Sequence, residues 1–285
     1  MRNEEEMFNL ILDFAKMNNS IKAVLLNGSR ANPNTKKDKF MDFDIVYVVD
    51  RTEPFIKNED FISYFGEILI MQEPDNPNLF VPEYPNEEKY TYLMQFTDGN
   101  RIDLTFAVPK FAEKICKEDS QTVVLIDKNN IFSEISSPSD KSYHIKRPSE
   151  NEFLACCNEF WWLSIYIAKG LWRNQVVYAI EIFNQDVHPE FMKMMRLFVG
   201  INNEFNVSIG KYDKYFKELL PSEVYDKVLK TYPTANIENI WTSLKMMCNL
   251  FDKFSNKVSI ALGFKYDSLQ CKDIMDYIFG GENSA

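Results

Sequence analysis

The sequence predicts an α+β protein in two parts: a mixed sheet with flanking helices over residues 1–147, then a helical bundle over residues 148–285. Short runs rich in β-branched and aromatic residues fill the first half, punctuated by Gly, Pro and Asp-Gly. A capping box at Ser149-Glu150-Asn151-Glu152 then opens a long stretch of helical spacing. With 285 residues, 45% of them hydrophobic and 14% aromatic, the chain can bury two cores, and it shows no low-complexity tract or fixed-period repeat.

From Glu5 to Met17, the residues Met7, Leu10, Ile11, Phe14 and Ala15 form one apolar stripe of an amphipathic helix, which Asn18-Asn19-Ser20 ends. Ile21–Leu26 reads as a buried strand broken at Gly28-Ser29. Residues 30–41 are polar and lead into a strand over Asp42–Val49. Glu67–Gln72 is a further strand, followed by a proline-rich loop through Pro74, Pro77, Pro82 and Pro85. Tyr90–Phe96 and Arg101–Val108 flank Thr97-Asp98-Gly99-Asn100, a hairpin signal because Gly accepts positive φ without steric cost. Val123–Ile126 adds a short strand.

Beyond Pro148, Phe153, Cys156, Cys157, Phe160, Trp161, Ser164, Ile165 and Ala168 hold helical spacing up to Gly170, read as a C-cap. Further helices are expected over 172–184, 189–202, 211–219, 222–231 and 236–262, with His188 before Pro189 in a loop.

Lys and Arg total 32 against 42 Asp and Glu, a net charge of −10, which disfavours nucleic acid and anionic membranes and favours a cationic small molecule. Five cysteines, an odd number with two adjacent, do not form a disulfide framework and suit a reducing cytoplasm. The first residues lack the basic and apolar regions of a signal peptide, and no apolar run is long enough to span a bilayer, so a cytoplasmic protein is expected. A monomer is favoured, with the oligomeric state open. His144 and His188 are the only histidines, too few for a His-rich zinc site.

Asp42 and Asp44 carry the chemistry. Side chains two apart on a strand project in parallel, about 6–7 Å apart at Cα, so both acids aim at one point while Phe43 faces away. Acids at the mouth of a buried strand need cations or hydrogen bonds to offset desolvation. Two Mg²⁺ ions meet that need, since Mg²⁺ takes carboxylates supplemented by substrate phosphates. Gly28 lets backbone N–H groups approach a triphosphate and the Ser29 hydroxyl donates to it. Asp103, on the strand leaving the hairpin, is the third acid, either a ligand of the acceptor-side metal or the general base. Arg101, two residues earlier on the same face, pairs with Asp103, touches phosphate, or is a solvated strand residue.

In the second half, Lys211, Lys214 and Lys217 recur at helical spacing, the pattern of a solvated face. Glu159 beside Trp161 and Trp162 offers charge and ring faces to a guanidinium or ammonium sugar, although aromatics at that spacing also build cores, which is the main reading for Trp161.

The order Gly-Ser, Asp-x-Asp and a later lone carboxylate resembles the nucleotidyltransferase superfamily, whose fold is shared with polymerase β. Leu26-Asn27-Gly28-Ser29-Arg30-Ala31-Asn32 resembles, more narrowly, the aminoglycoside 6-adenylyltransferases, which modify streptomycin. Met41–Ile45, Gly99–Thr105, Ile145–Ser149, Cys156–Trp161 and Ser208–Tyr212 match the same family, so the resemblance runs through nearly the whole chain. It departs at Asn27, where members commonly carry Glu, and over 162–200, with Trp162, Trp172 and His188-Pro189.

The resemblance implies a polymerase-β-like N-terminal domain and a helical domain closing the nucleotide and acceptor site. The expected reaction is transfer of AMP from ATP to a hydroxyl of a cationic aminoglycoside, position 6 of streptomycin, with release of pyrophosphate and resistance as the outcome. Asp42, Asp44 and Asp103 would be catalytic and hold Mg²⁺; Gly28, Ser29, Arg30, Lys211 and Lys214 would bind ATP; Glu159 and Trp161 would meet the acceptor. The alternatives are a nucleotidyltransferase for another small molecule or a protein side chain, and a nucleotide-binding module without catalysis. An RNA-polymerising enzyme is disfavoured by the acidic charge.

Overall fold

A computed structural model of the chain describes residues 1–132 and 135–280. Its first unit, Met1–Ser142, begins with helix α1 (Glu4–Met17), capped by a box in which Asn3 accepts from the Glu6 N–H and Glu6 accepts from the Asn3 N–H. Strand β1 (Ile21–Asn27) runs into a single helical turn, α2 (Gly28–Ala31), where the sequence predicted only a turn. Strand β2 (Phe43–Val49) follows, with Asp42 one residue ahead of it rather than inside it. Then come α3 (Glu53–Lys57), a 3₁₀ segment (Asp60–Phe65), β3 (Ile68–Gln72), β4 (Lys89–Phe96), β5 (Arg101–Ala107), α4 (Pro109–Glu118) and β6 (Val123–Asp127).

The six strands form one mixed sheet in the order β3-β4-β5-β2-β1-β6. Only β2 and β5 are parallel; the other neighbours are antiparallel. Strand alternation divides the side chains between two faces. Phe43, Ile45, Tyr47, Leu104 and Phe106 pack beneath α1 with Met7, Ile11 and Ala15, and Tyr47 donates its hydroxyl to the Ile11 carbonyl at 2.7 Å. Each such buried side chain contributes about 1.5–3 kcal/mol. On the opposite face Ala23, Leu25, Val46, Val48 and Ala107 pack with Ala112 of α4, a smaller core that covers only part of the sheet. The acids lie on this second face.

The second unit, Tyr143–Ala285, begins with α5 (Glu150–Trp172), opened by the Ser149–Glu152 capping box as the sequence predicts. It does not end at Gly170. That residue is inside the helix, where a Cβ would meet the ring of Tyr178 and the methyl of Ala179, so Gly is required by packing rather than by a cap. Helix α6 (Val176–Ile182) passes through a π-turn at Phe183–Val187 into α7 (His188–Asn202) without a loop. His188 donates its backbone N–H to Phe183, five residues back, and this wider turn accommodates Pro189, which has no N–H to give. The remaining helices are α8 (Phe216–Leu219), α9 (Ser222–Leu229), α10 (Ile237–Leu262) and α11 (Ser268–Gly280). The core of this unit gathers Phe153, Phe160, Phe183, Phe191, Phe251 and Phe254, with the rings of Phe160 and Phe251 stacked at 3.7 Å.

Candidate active site

Asp44 lies opposite Asp103 in the parallel β2–β5 register and opposite Asn27 across the antiparallel β1–β2 pair. Three neighbouring strands thus bring Asn27, Asp44 and Asp103 side by side at one end of the sheet, and Asp42 extends the row from the residue before β2. The hairpin and the Asp-x-Asp spacing deliver all three acids to one place, as the sequence reading expects.

Gly28 fits against this row for two reasons. Its φ is 68°, in the left-handed region, and a Cβ there would fall on Asp44 Oδ2. Ser29 follows in the α2 turn, half-buried. Arg30 points elsewhere. Its guanidinium donates to the carbonyls of Asp42 at 2.9 Å and Met41 at 2.7 Å, and lies 3.8 Å over the Phe43 ring. It is also within 3.4 Å of Glu4 and is only 8% exposed. Arg30 therefore fixes the backbone that presents Asp42; these bonds take up the side chain that the sequence reading gave to ATP.

Arg101 takes the first of its three expected roles. It grips Asp103 with two bonds of 2.7 and 2.9 Å and lies 3.6 Å from Asp42. One guanidinium does not balance three carboxylates. Asp44 shows the deficit: burial first, then the charges of Asp103 and Asp42, push its carboxyl up to about 7, Arg101 opposing and Asp119 adding.

Among the described residues, no three acids, histidines or cysteines are arranged to enclose a metal ion; Arg101 is inserted between Asp103 and Asp42. The donor set still suits Mg²⁺. It is made of hard carboxylate oxygens, with Arg101 the cation paired with Asp103 and Asp42.

In the second unit, Glu159 is exposed on α5 and Trp161 is 4% exposed, packed edge-on against Phe160 and Phe251. The Trp161 Nε1 is buried without an acceptor among the described residues. Lys211 and Lys214 are both exposed, but 211–219 is not one helix: Tyr212 and Asp213 have φ of 56° and 60°, so the lysines leave a tight turn rather than a regular helical face. Arg196 anchors that turn, holding Asp213 by bonds of 2.7 and 2.8 Å. His188, expected in a loop, is 7% exposed, its Nε2 is 3.0 Å from the Thr231 hydroxyl, and burial lowers its pKa to about 4.

The sequence reading did not single out Glu118 and Asp119, at the C-terminal end of α4. The signal was available: Pro109 at a first-turn position, then Phe111, Ala112 and Ile115 at helical spacing, returning the chain antiparallel to β5 toward the acids.

A family model described as streptomycin adenylyltransferase matches residues 1–280. An aminoglycoside 6-adenylyltransferase of Staphylococcus aureus is 36% identical over 279 residues, covering 98% of both chains. One from Bacillus subtilis (strain 168) is 38% identical over 267 residues, covering 93% of each. A crystal structure of an aminoglycoside 6-adenyltransferase from Bacillus subtilis is 34% identical and covers 98% of each chain, with a TM-score of 0.48.

Proposed function

The chain belongs to the streptomycin adenylyltransferase family, and from that premise we propose that it transfers AMP from ATP to a hydroxyl of an aminoglycoside, position 6 of streptomycin, releasing pyrophosphate. The observation that carries this reading is the row formed by Asp44 opposite Asp103, with Gly28 closed against Asp44. The Gly28 turn can offer backbone N–H groups to a phosphate chain beside Asp44, and Ser29 can donate its hydroxyl to a phosphate oxygen. The α-phosphorus is then held in line with an acceptor oxygen on the Asp103 side, and most of the rate gain comes from that positioning.

Asp42, Asp44 and Asp103 would hold Mg²⁺, two ions in the full proposal; when bound, the metal neutralises phosphate charge and lowers the basicity of the acceptor oxygen. Asp103 has two roles open to it, metal ligand or proton acceptor for the hydroxyl. Arg101 orients it for either by its paired bonds. Arg30 acts one step back, by holding the 41–42 backbone. From the helical unit, Lys211 and Lys214 are proposed to meet the nucleotide phosphates, and Glu159 with Trp161 the acceptor.

A net charge of −10 attracts a polycationic drug. The five cysteines are free thiols, and no described helix is long and apolar enough to cross a membrane, which supports a place in the cytoplasm. There, adding an anion to the drug would protect the cell. The test is incubation with ATP, Mg²⁺ and a panel of aminoglycosides, following pyrophosphate and product mass. An AMP adduct on streptomycin, mapped to one hydroxyl, is expected. No adduct on any aminoglycoside overturns the proposal.

A further inference from the structure

A cavity of about 1000 Å³ opens in the helical unit between α5, the loop after α10 and the first turns of α11. Its apolar lining includes the buried Cys157 and Cys271, with Ile165 and Ile274 beside them. Trp162 also lines it and is 58% exposed, an unusual position for the largest apolar side chain.

The charges of the lining balance. Lys265 supplies one cation and Asp267 one anion, and Asp267 is already engaged with α11, its Oδ1 accepting the N–H groups of Leu269 and Gln270 at 3.1 and 3.0 Å. A guanidinium calls for carboxylates and a triphosphate for an excess of cations; the cavity offers neither. The remaining polar groups are neutral: the amides of Asn158 and Gln270, each both donor and acceptor, and the Ser268 hydroxyl. Neutral amides around an exposed indole match a hydroxylated ring, whose C–H face packs on the indole while its edge exchanges hydrogen bonds.

Trp161 gives a separate indication of a ligand. It lines the same cavity and is 4% exposed, and its Nε1 has no acceptor among the described residues. The ring is used in packing against Phe160 and Phe251, and the indole has no polar atom other than this N–H. A buried donor left in that state is a standing cost to the fold, and an oxygen brought by a ligand would answer it.

We propose that this cavity seats a sugar ring of the aminoglycoside other than the ring that carries the reacting hydroxyl. The sugar stacks on Trp162, takes the Trp161 N–H on a hydroxyl or ring oxygen, and exchanges hydrogen bonds with Asn158 and Gln270. The assignment rests on the adenylyl-transfer reading above, which gives Trp161 to the acceptor, and says which part of the acceptor the helical unit takes. It makes Trp162, where this chain departs from the family pattern, a determinant of acceptor specificity.

The test uses the full-length chain with two acceptors: streptomycin, and streptidine, the guanidinium-bearing ring of streptomycin freed of its sugars. The four tryptophans give separate indole N–H resonances in the ¹⁵N-labelled protein, and Trp161→Phe identifies the one from Trp161. Streptomycin, titrated alone and with ATP and Mg²⁺, should shift that resonance, and streptidine should leave it in place. In steady-state kinetics, Trp162→Ala should raise KM for streptomycin about fivefold or more through the lost stacking, with KM for ATP and for streptidine unchanged. Trp162→Phe, which keeps a ring, should recover most of that loss, separating stacking from any structural role of the side chain. A Trp161 resonance unmoved by streptomycin under both conditions, in a protein that modifies the drug, overturns the proposal and leaves adenylyl transfer intact. An equal rise in KM for streptomycin and streptidine assigns Trp162 to the reacting ring and also overturns it. A wild-type protein that modifies no aminoglycoside removes both.

Discussion

Replacing Asp44 with Asn should stabilise the metal-free protein while destroying its activity, and the stabilisation should grow with pH. The Asp44 carboxyl is raised from 3.8 to about 7 by burial and by the neighbouring acids. The native state thus binds this proton more tightly than the unfolded chain, so stability falls as pH rises from about 4 to about 7 and changes little outside that window. At about 1.4 kcal/mol per tenfold change in proton affinity, full ionisation costs about 4 kcal/mol. Asn removes that cost at nearly the same size. The variant's advantage should be about 1.5 kcal/mol at pH 5 and about 4 kcal/mol at pH 8. All four tryptophans, Trp161, Trp162, Trp172 and Trp241, lie in the helical unit, so indole fluorescence does not report on the sheet. Amide hydrogen exchange in β2 and β5, measured in chelator with both proteins at each pH, does. Exchange should be slower in the variant by about tenfold at pH 5 and about a thousandfold at pH 8. Added Mg²⁺ should protect the wild type more than the variant. Equal protection of the two proteins at pH 8, or a difference that does not depend on pH, would refute the account of a charge-deficient acid row.

Gly28→Ala should cost about 1–2 kcal/mol of backbone strain at its positive φ and displace the Asp44 carboxylate, lowering kcat/KM by at least about tenfold; a steady-state comparison with Ser29→Ala separates strain from hydroxyl loss. Arg101→Met should destabilise the metal-free sheet unit by about 1–3 kcal/mol, because Asp103 and Asp42 lose their counter-charge, and Mg²⁺ should recover part of it in the same exchange experiment. In the helical unit, His188 is held neutral by burial, its pKa lowered from 6.5 to about 4. Its unfolded form takes up the proton first, so stability is lost as pH falls from about 6.5 to about 4, by about 3 kcal/mol. Urea melts followed by tryptophan fluorescence at pH 7 and pH 4.5 should show that loss, and His188→Phe should reduce it.

Where local pattern sufficed, the site was legible. Asp42-Phe43-Asp44 announces two acids on one face by spacing alone, and Asp98-Gly99 turns the chain so that Asp103 returns beside them. The strand order and the parallel β2–β5 register, which make Asp44 and Asp103 neighbours, depend on long-range pairing that no window of sequence contains. Arg30 looked like a phosphate ligand because of its neighbours in the chain; its partners are Glu4 and the 41–42 carbonyls, remote in sequence. His188 looked like a loop residue because Pro189 ordinarily interrupts a helix, and the π-turn that absorbs the proline has no sequence signature at that resolution. Lys211 and Lys214 held helical spacing, yet positive φ at Tyr212 and Asp213 breaks the face. No element was expected over residues 109–118, so only the folded position of α4 places Glu118 and Asp119 opposite the acids.

The most direct test of the account is the mass of the product formed from streptomycin, ATP and Mg²⁺ by wild type and by Asp103→Asn. Wild type should yield streptomycin heavier by one adenylyl group, with one pyrophosphate released per adduct, and Asp103→Asn should yield neither above background while remaining folded. An adduct formed at near wild-type rate by Asp103→Asn, or wild-type pyrophosphate release without any adduct, would contradict it.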